Sequence, residues 1–88
     1  AAAGFIDLTL GKLIRYDRAH GTEYVQLLRT FMKNECNVIQ TAGALYFHRN
    51  TVKKKITLIE EILGYDVTLN ENRFRIILAL YLSKLQSK

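Results

Sequence analysis

The sequence predicts an all-α fold, a small bundle of about five helices. Apolar residues recur at helical spacing in successive segments, with no stretch read as a strand. Proline is absent, so no ring interrupts those segments from within. The breaks between them carry Gly or a capping residue, and the connections are short. With 49% apolar residues in 88 positions, the chain is one small domain with a modest core.

The opening "AAAG" reads as a cloning remnant or frayed end, which sets residues 1–4 outside a domain over 5–88. Leu10, Leu13 and Ile14 make the short stripe of a first helix, which Gly21 interrupts. Thr22 suits the N-cap of a second helix, with Glu23 in its first turn. Val25, Leu28, Phe31 and Met32 give that helix its apolar face, and it ends near Asn34. "NVIQ" at 37–40 is a capping-box variant, in which the Asn37 amide accepts from the backbone and Gln40 reaches back. The third helix it opens is short, and Ala42, Gly43 and Ala44 would let another helix approach closely.

About three residues then separate the third helix from a fourth, which begins near His48. Val52, Ile56, Ile59 and Leu63 form its narrow apolar face, and Gly64 suits its C′ position. "TLNE" at 68–71 is a capping box for a fifth helix. That helix bears Phe74, Ile77, Leu78, Tyr81, Leu82 and Leu85 on its main stripe. Ile76 and Leu80 fall off it, which suits either a well-wrapped helix or an interface.

Net charge is +5, from 13 Lys and Arg against 8 Asp and Glu, which favours nucleic acid or another anionic surface as partner. Cys36 has no second cysteine to pair with, as expected in a reducing cytoplasm. His20 and His48 are too few for a metal cluster, and no apolar run approaches the ~18 residues of a membrane span. There is no Gly-rich phosphate loop and no nucleophile with a supporting base. Asp7, Asp17 and Asp66 sit near expected helix ends, where capping explains them. No enzyme, cofactor or metal site is expected.

"HRNTVKKKI" at 48–56 carries the functional signal. Two helices joined by a three- or four-residue turn, the second cationic at its start, form a helix-turn-helix. If each residue advances ~100°, Ile56, Ile59 and Leu63 fall within about ±40° of Val52. Asn50, Lys54, Thr57 and Glu61 point the opposite way, flanked by Thr51 and Lys53. Arg49 can make two parallel hydrogen bonds to guanine or phosphate, and Asn50 can pair with an adenine edge. Thr51 offers a hydroxyl to phosphate or a methyl to thymine, and Lys53, Lys54 and Lys55 suit phosphates. His48 is placed to cap the helix or touch a phosphate. Three lysines alone would suit a solvated face; the short helix, tight turn and "HRNT" before them favour a duplex.

Tyr16-Asp17, Gly21-Thr22-Glu23, Asn37-Val38, Thr41-Ala42 and His48-Arg49-Asn50-Thr51 occur in that order. This pattern resembles the C-terminal helix-turn-helix domain of PucR- and CdaR-type bacterial regulators, from roughly Leu10 to Leu85, and its basic helix is similar to the Fis-type motif. The resemblance implies a transcription regulator whose N-terminal part senses an effector, acting as a homodimer on double-stranded DNA. Carried over by position, it implies DNA contact by His48, Arg49, Thr51, Lys53 and Lys54, with Asn50 added from its place in "HRNT" and on the wheel. Two departures stand out. The family often has Arg and Tyr where this chain has Lys53-Lys54-Lys55, which shifts that turn from base reading to phosphate contact. Tyr46 occupies a turn position where Gly is common. Either φ is positive there, at about 1 kcal/mol or more, or the turn has another shape.

The alternative function is a helical protein-interaction module docking through Ile76, Leu80 and Tyr81, with lysines that only solubilise.

Overall fold

In the computed structural model, which describes residues 1–86, five α-helices account for all regular structure, with no strand among the described residues. They are α1 (Ala2–His20), α2 (Tyr24–Lys33), α3 (Val38–Leu45), α4 (Arg49–Leu63) and α5 (Asn70–Gln86). Ser87 and Lys88, counted in the expected 5–88 domain, lie outside the described residues. The all-α bundle read from the sequence is the observed fold.

α1 is the spine, packing against α2, α4 and α5, while α3 is held by α2 and α4. Their shared core is built on Leu10, Leu13, Leu28, Val52, Ile59, Val67 and Ile76, all fully buried. α1 begins at Ala2, so residues 2–4 are helical. Its buried face also runs further back than expected, through Thr9 to Ile6. Gly21 ends α1 in the left-handed region at φ 66°, donating its N–H to the Asp17 carbonyl over 2.8 Å. Such a φ suits glycine because no Cβ meets the neighbouring carbonyl.

α2 is capped from another helix. Thr22 is not its N-cap; the Asp17 carboxylate accepts the N–H of Tyr24 and of Val25, each over 2.9 Å. The Thr22 hydroxyl donates to the same carboxylate. Two of the orphan N–H groups of α2 are thus satisfied by a side chain near the end of α1, which fixes the corner between them. Asp7, in contrast, is not near a helix end but within α1, where it pairs with Arg15 over 2.7 Å across the surface of Gly11. Both partners are well exposed, so the pair adds little stability.

Between α4 and α5 the chain is tied down by side chains. Gly64 takes φ 83°, the expected C′ conformation. The Tyr65 hydroxyl donates to the Thr9 carbonyl over 2.8 Å, joining this corner to α1. Glu60 accepts the Val67 N–H over 2.9 Å, and burial pushes its carboxyl above the usual range despite that bond. The expected Thr68 capping box is not formed among the described residues. The Thr68 hydroxyl and N–H both turn back to Asp66 Oδ1, holding that carboxyl below its usual range, and α5 starts at Asn70.

α5 is also rotated relative to the sequence expectation. Asn72, Ile76, Ala79 and Leu80 are buried, whereas Phe74, Ile77, Leu78, Tyr81 and Leu85 are between 39% and 69% exposed. Ile76 and Leu80 belong to the domain's own core, so they are closed to the docking role considered for them. The rotation follows the start of the helix, where the buried Asn72 amide donates to the Asp66 carbonyl over 2.7 Å. The bulkier stripe faces solvent.

Candidate nucleic-acid interface

The candidate interface is built by α3, a three-residue turn and α4. Asn37 caps α3, its Oδ1 accepting the Gln40 N–H over 2.9 Å. The return bond expected from the Gln40 side chain is not formed among the described residues. Thr41 and Ala42 are the buried residues of α3, but Gly43 and Ala44 face solvent, so only Ala42 acts as the small packing residue expected of all three. The loop before α3 holds two further non-glycine residues at positive φ, Glu35 at 54° and Cys36 at 62°. Cys36 is half-buried, and burial raises its thiol pKa, opposed by nearby Arg73.

Tyr46, Phe47 and His48 make the turn. Tyr46 lies in the left-handed region, at φ 59° and ψ 36°. The turn therefore keeps the glycine-like shape, with a bulky residue in it. Its N–H and that of Phe47 both donate to the Ala42 carbonyl, the latter over 2.9 Å, which closes the end of α3. The Tyr46 ring packs on nothing, being 95% exposed. Strain is stored here with no packing to compensate it.

His48 caps α4: its Nδ1 accepts the Asn50 N–H over 3.1 Å. A nitrogen that accepts carries no proton, so the neutral ring holds its hydrogen on Nε2, where it can still donate outward. The capping role expected of His48 is therefore met.

Beyond the cap, α4 divides as its periodicity requires. Val52, Ile56, Ile59 and Leu63 are buried. His48, Arg49, Asn50, Lys53 and Lys54 are exposed, and Thr51 is half-buried at the margin. The carboxylate of Glu61 sits eleven residues beyond Asn50, roughly 16 Å along the axis, so it stays clear of the cationic turns. The three lysines are not equivalent. Lys53 and Lys54 project outward, but the half-buried Lys55 places its Nζ 5.4 Å from the Tyr24 ring centre and 5.7 Å from that of Phe47. Held over two rings, Lys55 fastens the turn to α2 and is withdrawn from the outward cationic set.

Arg49, Asn50 and Lys53 line one cleft together with Asn37, Val38 and Ile39 from the start of α3. The free N–H groups and partial positive charge of that helix start therefore share a surface with the cations of α4. Ile39, 66% exposed in that cleft, was not singled out by the sequence. Its signal was the adjacent Val38-Ile39 pair, since neighbours on a helix lie ~100° apart and only one can point inward. Tyr46 was noticed as a departure in the turn, not as a surface group beside the cations.

No helix among the described residues is long and apolar enough to cross a membrane. The surface described presents exposed hydrogen-bond donors and fixed positive charge on a two-helix projection. Comparisons with known proteins place the chain in a family. The chain is 31% identical over 80 residues to the DNA-binding transcriptional activator AdeR of Bacillus subtilis (strain 168), covering 91% of this chain and 19% of that protein. It is 37% identical over 60 residues to the purine catabolism regulatory protein of the same organism, covering 68% of this chain and 11% of that protein. The chain thus spans under a fifth of the length of either relative. No solved structure matches it significantly. The family model of the PucR C-terminal helix-turn-helix domain matches residues 24–82, from the start of α2 through most of α5. This chain belongs to that family of DNA-binding transcription-regulator domains.

Proposed function

We propose that this chain binds double-stranded DNA sequence-specifically, with α4 entering the major groove by its first two turns. The observation that carries this reading is the exposed donor set from His48 to Lys54 beside the start of α3. Arg49 and Asn50 are the base-reading candidates, because both offer planar paired hydrogen bonds. Lys53 and Lys54 neutralise phosphates, His48 donates from Nε2, and Thr51 contacts the backbone at the edge of the groove. The first turn of α3 abuts a phosphate across the same cleft.

One such domain makes only three or four phosphate contacts, so its affinity falls with salt at a logarithmic slope of roughly −3. Two copies, joined through a longer regulator, would present two α4 helices to half-sites about one helical turn apart. On this reading the chain is the C-terminal, DNA-binding part of a cytoplasmic homodimeric regulator whose N-terminal region senses an effector. Relatives named as a transcriptional activator and as a purine catabolism regulator support it.

Selection from a randomised duplex pool tests the reading. Enrichment of one motif, lost when Arg49→Ala and Asn50→Ala are combined, is the expected outcome. Arg49→Ala alone should relax preference at one base pair, costing about 1–3 kcal/mol there. Binding without any enriched motif would leave a nonspecific polyanion surface in place of a sequence reader.

A further inference from the structure

The outward face of α5 has chemistry of its own. Phe74, Ile77, Leu78, Tyr81 and Leu85 recur at helical spacing over about three turns, roughly 16 Å of axis, and all five are exposed. Isolated apolar residues are ordinary on a protein surface, but a continuous stripe of this kind marks an interaction site. α5 packs on α1 and α2 and not on α3 or α4 among the described residues.

A groove between α2 and α5 runs beside the stripe. Met32, Ile77 and Tyr81 contribute apolar walls, while Arg29, Lys33 and Lys84 bring positive charge to its rim. The Arg29 guanidinium, on a half-buried residue, donates to its neighbour Gln26 over 2.9 Å. Arg75 adds a cation on α5, its guanidinium donating to Asn72 Oδ1 over 2.6 Å, and Glu71 is the one carboxylate on that helix. The surface is therefore an apolar strip with cationic margins.

We propose that this strip docks an acidic amphipathic helix of three to four turns from another polypeptide segment. An apolar face on that helix would cover Ile77, Leu78 and Tyr81, in the helix-in-groove manner, and its carboxylates would meet Arg29 and Lys33. Charge selects this occupant over a second copy of the chain. Two copies laid face to face across this groove would bring Arg29 and Lys33 of each toward the other, and each chain already carries +5. The inference does not depend on DNA binding.

The test uses two 15-residue helical peptides with leucine at i, i+4, i+7 and i+11, one flanked by glutamates and the other by lysines. Each is titrated into the isotope-labelled 88-residue chain, with amide shifts recorded. The acidic peptide should shift Lys33, Ile77, Tyr81 and Leu85, and the basic peptide should not bind. Arg29→Glu with Lys33→Glu should weaken binding about tenfold or more, while Lys53→Ala with Lys54→Ala should leave it unchanged. Ile77→Ser, at a half-exposed position, should also weaken it. Shifts confined to α4, equal binding of the two peptides, or no binding at millimolar concentration would each overturn the proposal. So would sedimentation showing a dimer of the chain that Ile77→Ser dissolves.

Discussion

α4 and α5 are similar in length, at 15 and 17 residues, yet they face solvent in opposite ways. α4 buries its aliphatic stripe and exposes Arg49, Asn50, Lys53 and Lys54. α5 buries Asn72, Ile76, Ala79 and Leu80 and exposes its larger side chains, Phe74 and Tyr81 among them. The contrast shows that apolar bulk alone does not set a helix's rotation. Where one face is clearly polar, as in α4, the core has one choice. Where apolar residues encircle the helix, as in α5, its tethered start and the closeness of its neighbours decide.

Two substitutions on α5 should differ sharply in cost. Ile76→Ala removes a fully buried side chain and should lower unfolding free energy by about 2–4 kcal/mol. Phe74→Ala, at a site 69% exposed, should stay within about 0.5 kcal/mol. Denaturant titration of both decides, and the reverse order would restore the rotation that apolar bulk suggests.

Capping gives the next contrast. α4 begins on its own neighbour, His48, but α2 begins on Asp17, seven and eight residues upstream of the N–H groups it serves. Asp17→Ala should therefore cost about 1–2 kcal/mol, and Thr22→Ala, which removes one exchangeable hydroxyl donor, about half of that or less. Equal costs would mean that Thr22 is the cap after all. The turn offers an effect of opposite sign. Tyr46→Gly relieves a left-handed tyrosine that packs on nothing and should stabilise the domain by about 1 kcal/mol in thermal melts.

The smallest expected effect concerns pH. The folded state raises the Glu60 carboxyl above its ordinary value, mainly through burial. The protonated form is therefore favoured by folding. The resulting stability is present below the unfolded value and is lost as pH rises through the folded one. Glu60→Gln keeps an acceptor for Val67 and should flatten that slope relative to wild type. Parallel melts between about pH 4 and 7 would show the difference, and a steeper acid loss in wild type than in the variant would contradict it.

Much of this structure was legible in the sequence, for identifiable reasons. The faces of α4, the Asn37 cap, the glycine stops at Gly21 and Gly64, and the three-residue turn are all local, so spacing and residue type expose them. The Asp17 cap was hidden because it joins two helices across a turn, while Thr22 stood where a local rule expects a cap. Thr68 misled in the same way, because Asp66 competes for its hydroxyl and N–H. The fate of Lys55 was hidden too, since only the packing of α2 brings Tyr24 within reach of it. At the candidate interface, spacing along one helix was enough to find the outward cations. Ile39 lies on a different helix, and only the fold brings it to the same cleft.

The proposed role of α4 is to bring its exposed cations onto DNA phosphates. Its most direct test is the salt dependence of duplex affinity for the wild-type chain and for the Lys53→Ala, Lys54→Ala variant. Each lost phosphate contact should reduce the logarithmic slope by about 0.9, so a wild-type value of roughly −3 should fall to about −1. An unchanged slope in a folded variant would place the DNA on another face of the molecule.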